Sequence, residues 1–328
     1  MPHGIAAFLL ARIKERPVVG IICGSGLSNL SDCFENPQTF HYADIPGFPK
    51  ATVPGHTGEL IFGTVGGIQC VCMRGRFHYY EGNSMETVVL PVRVMRLLGV
   101  KLLIVTNAAG GLNPIYNVGD IMVIQDHFGM PAIAGNHPLR GINDDDIGPR
   151  FPAVSDAYDE TLQKVIATCA RELGIGRVLR QDGTYCFVSG PAYESRAESK
   201  FLRSIGGDAV GMSTVPEVLA AKHCGMKVLG LSLITNKVVM DRTQTLHASH
   251  AEVLENVQSS GRFVLSLVKA FISREKIGTY LDELPEFVYV PKNNGNGGAL
   301  GAKNIVYVAL AAVATAIGFH FAKSKGYF

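Results

Sequence analysis

Long runs of one charge are missing from this 328-residue sequence: 30 Lys and Arg face 28 Asp and Glu, for a net +2. Nothing in it is built to follow a phosphodiester backbone, which argues against a nucleic-acid partner. Charged residues are also sparse, at 18% against roughly 25% in an average soluble chain. The seven cysteines are an odd number, with no CxxC and no Cys/His metal spacing. That favours reduced thiols in a cytosol-facing compartment over a disulfide framework or a zinc site. No basic residue precedes the short apolar run 5–11, so the N-terminus reads as an amphipathic helix ending near Arg16-Pro17 rather than a signal peptide. Internal repeats are absent too.

What is present is apolar. Hydrophobic residues make up 47% of the chain, too much for disorder and ample for one large or two ordinary domains. To about residue 284 the sequence alternates short buried-strand patterns (18–22, 60–65, 68–73, 102–106, 121–124, 228–234) with helical ones. Gly66-Gly67 joins two of the strands as a hairpin turn. Residues 156–173 put Leu162, Val165, Ile166, Cys169 and Leu173 on one face and stop at Gly174. Thr214 and Glu217 have capping-box spacing, with Pro216 in the first turn and Gly225 at the end. Residues 252–272 form a further amphipathic helix. The alternation predicts an α/β fold: a single domain whose twisted, mainly parallel or mixed central β-sheet is flanked by helices.

Beyond Pro285 the texture changes. Residues 285–303 read as a linker, with four glycines and three asparagines between Pro291 and Lys303. In the run from Ile305 to Ala322 only Thr315, Gly318 and His320 fall outside the apolar set. As a helix it would be about 27 Å long, at the short end for a hydrocarbon core. The run lacks a charged face and sits on a Gly-rich tether, so residues 304–322 are expected to be a C-terminal membrane anchor, with 323–328 a short basic tail. The alternative is a helix docked on the body.

Four segments carry chemistry. Gly24-Ser25-Gly26 follows a buried strand and can open a helix, an arrangement suited to a phosphate or sulfate. It can equally be a tight turn, and the GxGxxG pattern fails at Asn29. His56 lies between glycines in PGHTG, and Arg76, His78 and Tyr80 alternate so that an extended stretch would aim all three one way, as an oxyanion and hydroxyl binder or as a solvated edge. Thr106–Asn113 ends a strand in small residues, where a ligand can lie against backbone or a turn can pack. Finally, Tyr193 offers a stacking face, while Glu194 and Asn236 match a heterocycle that presents N–H and C=O groups. His250 precedes a helix.

Assembled, these blocks resemble the trimeric, low-molecular-mass class of purine nucleoside phosphorylases. The matching pieces are IICGSGL, FP-x-x-TVPGHTGEL, GRFHYYEG, LLGV with TNAAGGLNP, VGDIM, RFPAVSDAYD, GPAYE, GDAVGMSTVPEV and SLITNKVVMD, in family order over roughly residues 5–275. The resemblance implies phosphorolysis of purine nucleosides, above all inosine and guanosine, to base and ribose 1-phosphate, with phosphate as co-substrate and neither metal nor organic cofactor. It implies that Ser25, His56, Arg76, Ala108 and Ser213 bind phosphate. Tyr80, Met212 and His78 would line the ribose, and His250 would meet its 5′-hydroxyl. Tyr193, Glu194, Val210 and Asn236 would hold the base, with Asn236, Glu194 and His78 as the catalytic groups. Phe151 would cover a neighbouring subunit's pocket in a homotrimer. Tyr193 stands where the family often has Phe, residues 242–249 depart from relatives, and the tail has no counterpart. Two competing readings are a methylthioadenosine phosphorylase, expected to carry Asp in place of Asn236, and a catalytically silent, membrane-tethered purine binder.

Overall fold

The structure, a computed structural model, describes residues 1–50, 57–242 and 249–289. Helix α1 (Pro2–Leu10) buries Ile5, Ala6 and Leu9; it ends six residues before the expected Arg16. Strand β1 (Val19–Ile22) is wholly buried, because it runs parallel between two neighbours. The edge strand β2 (Glu35–His41) is followed by β3 (Glu59–Val65) and β4 (Ile68–Arg74). The β3–β4 hairpin turns at Gly66 (φ 56°) and Gly67 (φ 81°), as expected of a pair of residues free of Cβ. Helix α2 (Met85–Leu98) starts on Ser84, whose side chain accepts from Thr87 N, and ends at left-handed Gly99.

Strands β5 (Leu102–Gly111) and β6 (Ile121–Gly129) come next, then the single-turn α3 (Met130–Ile133) and α4 (Glu160–Glu172), capped by Asp159. Strand β7 (Leu179–Phe187) leads to α5 (Arg196–Ser204), which Ser195 and Glu198 open with a reciprocal capping box. The three-residue β8 (Ala209–Gly211), α6 (Val215–His223), β9 (Lys227–Lys237), α7 (His250–Ile272) and α8 (Glu275–Glu283) complete the described chain.

The sheet is mixed, in the order β2-β3-β4-β1-β5-β8-β7-β6-β9, and β9 pairs back onto β5. The strands β5, β8, β7, β6 and β9 therefore close on themselves, a feature that the strand pattern does not predict. Alternation along the strands divides the core. Ile22, Leu103 and Val105 face the cluster that includes Val89 and Val92 of α2 and Val218 of α6. Ile21, Leu102 and Ile104 face Leu162 of α4 and Leu267 and Phe271 of α7. After α8 the chain stays on the body: Phe287 and Tyr289 pack on the first cluster, with Phe287 4.2 Å beneath the Arg96 guanidinium. Among the described residues no helix is long and apolar enough to cross a membrane. The expected anchor at 304–322 lies outside those residues.

Candidate active site

Strands β1, β5 and β9 run parallel, so the segment leaving β1 and the C-terminal parts of β5 and β9 converge on one cavity of about 700 Å³. Ser25 enters from beyond β1, and Arg76, His78 and Tyr80 from the segment after β4. Strand β5 contributes Ala108, the stretch before α5 contributes Tyr193 and Glu194, and β9 contributes Asn236. Val210, Met212 and Ser213 close the remaining side. These eleven residues are the ones that the resemblance brought together. His56 lies outside the described residues. His250 begins α7, and its side chain is likewise outside them. Phe151 is 88% exposed and stands away from this cavity, beside Arg140, Arg150 and Pro152.

One end of the cavity is an anion cradle centred on Arg76, whose side chain is buried. Its Nε donates to Glu217 Oε1 at 2.9 Å, and Nη1 donates to Thr106 O at 2.9 Å and to Ser213 Oγ at 3.1 Å. Nη2 is buried with no partner among the described residues. An unsatisfied guanidinium N–H out of water is costly unless an acceptor arrives, and an oxyanion is the acceptor that suits it. Because Ser213 Oγ already accepts from Arg76, its own hydrogen is left to donate.

Two local expectations change here. Gly24 does not offer its N–H to a ligand, since that group donates to Thr106 Oγ1 at 3.0 Å. Gly24 is needed for closeness: a Cβ there would stand 2.6 Å from Asn107 Cα. The element after this loop is a six-residue 3-10 segment, Ser28–Cys33, not an α-helix N-terminus. Nor do Thr214 and Glu217 form a capping box: Thr214 makes no side-chain cap bond, and Glu217 is turned inward to Arg76.

At the ribose side, Tyr80 belongs to a 3-10 turn (Tyr79–Glu81) rather than an extended run, and its ring stacks on His78 at 4.7 Å. Glu81 Oε1 accepts from His78 N at 2.7 Å and lies 3.0 Å from Nδ1. A carboxylate partner assigns the proton to Nδ1 and leaves Nε2 as the acceptor of a neutral ring. Burial also pulls the His78 pKa down, against the opposing pull of Glu81. The Tyr80 hydroxyl is pushed up to about 12, chiefly by burial, and stays a donor.

At the base end, burial raises the Glu194 pKa, and Glu198 adds to it. Asn236 is buried, and its Oδ1 accepts from Thr235 Oγ1 at 3.2 Å. That bond orients the amide so that Nδ2 is the group offered to a ligand. The β5–β9 register breaks between Ala109 and Gly110, which oppose Ile234 and Asn236. Thr235 is thus the extra residue of a bulge, the device that re-aims Asn236.

Residues 18–273 match the family model described as Phosphorylase superfamily. The chain is 52% identical to the purine nucleoside phosphorylase of Rattus norvegicus over 275 residues, covering 83% of this chain and 95% of that one. It is 49% identical to purine nucleoside phosphorylase 1 of Bacillus subtilis, over 82% and 96% of the two chains. The chain belongs to the purine nucleoside phosphorylase family. Among solved structures, Schistosoma mansoni purine nucleoside phosphorylase in complex with inosine superposes with a TM-score of 0.80 at 44% identity, covering 83% of this chain and 95% of that chain. A purine nucleoside phosphorylase in complex with ribose 1-phosphate gives 0.77 at 42%, over 83% and 96%.

Among the residues of this site, sequence reasoning missed Asn107, Glu217 and Thr235. Asn107 and Thr235 sit inside the motifs TNAAGG and SLITNK, where a polar residue on a buried strand is itself a signal. Glu217 was visible as a polar residue, but its partner is 141 positions away.

Proposed function

We propose that this chain catalyses reversible phosphorolysis of 6-oxopurine nucleosides, giving the free base and ribose 1-phosphate. The observation that carries this reading is the sharing of one cavity by Arg76 Nη2, unpaired among the described residues, and the Glu194 and Asn236 pair. Phosphate bound by Arg76, Ser213, Ser25, His56 and the Ala108 backbone supplies the nucleophilic oxygen. That oxygen bonds to C1′ as the C1′–N9 bond breaks, and the bonding pair leaves with the purine. The sugar passes through an oxocarbenium-like state, so one anion is both nucleophile and counter-charge. Asn236 Nδ2 donates to purine N7, where charge develops. Glu194 accepts from N1–H, which hypoxanthine and guanine have and adenine lacks. His78, Tyr80, Met212 and His250 hold the ribose, and Tyr193 and Val210 flank the base. The chemistry needs no metal or organic cofactor.

Three further parts of the reading rest on sequence. The enzyme acts as a homotrimer, with Phe151 laid over a neighbour's pocket. The catalytic domain, 1–284 by composition and extended by the packing of Phe287 and Tyr289, works in the cytoplasm. The rest of the 285–303 linker tethers an anchor at 304–322, which holds the enzyme at a membrane. Base release from inosine, guanosine and adenosine, each with and without phosphate, tests the activity. The expected result is phosphate-dependent release of hypoxanthine and guanine, with adenosine about 10–100-fold slower because Glu194 is left unpaired. Nucleoside binding without turnover in millimolar phosphate would instead mark a silent purine binder.

A further inference from the structure

Between the anion cradle and α6 the backbone takes an unusual path. Thr214 has φ 76° and ψ −55°, and Val215 N donates to Ser213 O at 2.9 Å. That is a three-residue turn in its rarer hand, disfavoured for any L-residue and most of all for a β-branched one. Nothing about starting a helix requires it, since Thr214 offers α6 only its carbonyl, to Val218 N at 2.9 Å, and makes no side-chain cap. The Thr214 hydroxyl is used elsewhere. Fully buried, it accepts from Asn107 Nδ2 of β5 at 2.9 Å and lies 3.3 Å from Ser213 Oγ. Strain of this kind persists only where surrounding contacts over-determine it, and it concentrates at functional sites. The contacts here come from both sides. Helix α6 fixes the Thr214 carbonyl, and β5 fixes its hydroxyl.

The residue this arrangement places is Ser213. If Thr214 relaxed to negative φ with α6 in place, the Ser213–Thr214 peptide would rotate. Ser213 Oγ would then leave Arg76 Nη1, from which it accepts at 3.1 Å. We propose that the Asn107–Thr214 hydrogen bond is a positioning device for phosphate, holding a strained turn that fixes Ser213 beside Arg76. Asn107 and Thr214 are thus positioning residues, and the inference rests on the reading that this end of the cavity receives phosphate.

The test is steady-state kinetics on the full chain, varying phosphate and inosine separately, for wild type, Thr214→Val, Thr214→Ser, Thr214→Gly, Asn107→Ala and the Asn107→Ala/Thr214→Val double variant. Wild-type turnover comes first; its absence would refute the functional reading, not the positioning device. Thr214→Val and Asn107→Ala should each raise KM for phosphate about tenfold, as expected for one buried hydrogen bond, with KM for inosine within about twofold. The double variant should match either single one, because all three lack the same bond. Thr214→Ser, which keeps the hydroxyl, should restore most of the phosphate affinity. Should Thr214→Val fail to fold, Asn107→Ala carries the comparison, and Thr214→Gly, whose backbone tolerates φ 76° without the bond, should stay closer to wild type in phosphate KM than Asn107→Ala does. Unchanged phosphate KM in Asn107→Ala, additive effects in the double variant, no rescue by serine, or parallel rises in both KM values would each overturn the proposal.

Discussion

Glu194 holds its carboxyl partly out of water beside a second acid, Glu198, and its pKa stands above the ordinary 4.5 because burial disfavours the charge. The consequence for stability has a definite sign. Between 4.5 and the raised value the folded chain keeps a proton that the unfolded chain has already lost. Stability contributed by this group therefore falls as pH rises through that window and stays low above it. Glu194→Gln should then melt higher than wild type at pH 7 and equal to it below about pH 4. Its kcat/KM for inosine and guanosine should drop by about 10–100-fold, since the acceptor for N1–H weakens. A thermal-shift series against pH, read beside the kinetics, checks both halves; a variant that melts lower at pH 7 would contradict the assignment of burial as the cause. At this scale the site was legible wherever residue type alone restricts the chemistry, as with Arg76, Glu194 and Asn236. It was misread at Thr214 and Glu217, because a Thr and a Glu three apart satisfy a local capping rule as well as they serve a distant guanidinium. Local spacing holds no information about Arg76.

Among the strands, those that the pattern identified are buried along most of their length. Strands β1, β5, β6 and β9 stand out as apolar runs for that reason. Strand β2 did not, being an edge strand with mostly exposed residues and a register break between Glu35 and Gln38. Residues Ala108–Gly111 read as the small-residue segment that ends a strand, open to a ligand or to a turn, yet they continue β5, because β8 and β9 both pair there. Small residues lower strand propensity, and closure of the sheet overrides it. Composition likewise places the end of the body at Pro285, whereas packing carries it to Tyr289. The Tyr289 ring lies 5.2 Å from His3, its hydroxyl donates to His3 O at 3.4 Å, and Arg16 Nη2 donates to its carbonyl at 3.4 Å. Two truncations separate these boundaries. Removing residues 290–328 should leave denaturant stability unchanged, while removing 285–328 should cost about 1–3 kcal/mol through exposure of the surface under Phe287 and Tyr289. Equal midpoints for the two in urea would show that the strap contributes nothing.

For the whole molecule, the incomplete cover of the cavity is the central fact. Tyr193 is 43% exposed, and with Glu194 it also lines a second, wider hollow of about 1140 Å³ beside Tyr79, Met130 and Phe201. Phe151 projects into solvent on the same chain, with Ile142 fully exposed nearby in sequence. An apolar lid residue far from its own site and an uncovered site are complementary if subunits pass the lid around a ring, a head-to-tail arrangement that closes as a trimer. Phe151→Ala should then lower inosine turnover without disturbing the fold, and so far a simple surface effect would explain the same loss. Mixing separates the two. Refolding Phe151→Ala together with Arg76→Ala creates sites in which an intact pocket from the first chain meets an intact lid from the second. With random assembly about half the pockets are intact and about half of those meet an intact lid, so roughly a quarter of all sites regain full function. The mixture should therefore exceed the mean of the two variants assayed apart, and dilution that dissociates the ring should abolish the excess. If the mixed sample only averages its parents, each chain covers its own pocket, and the shared-site assembly is lost with it.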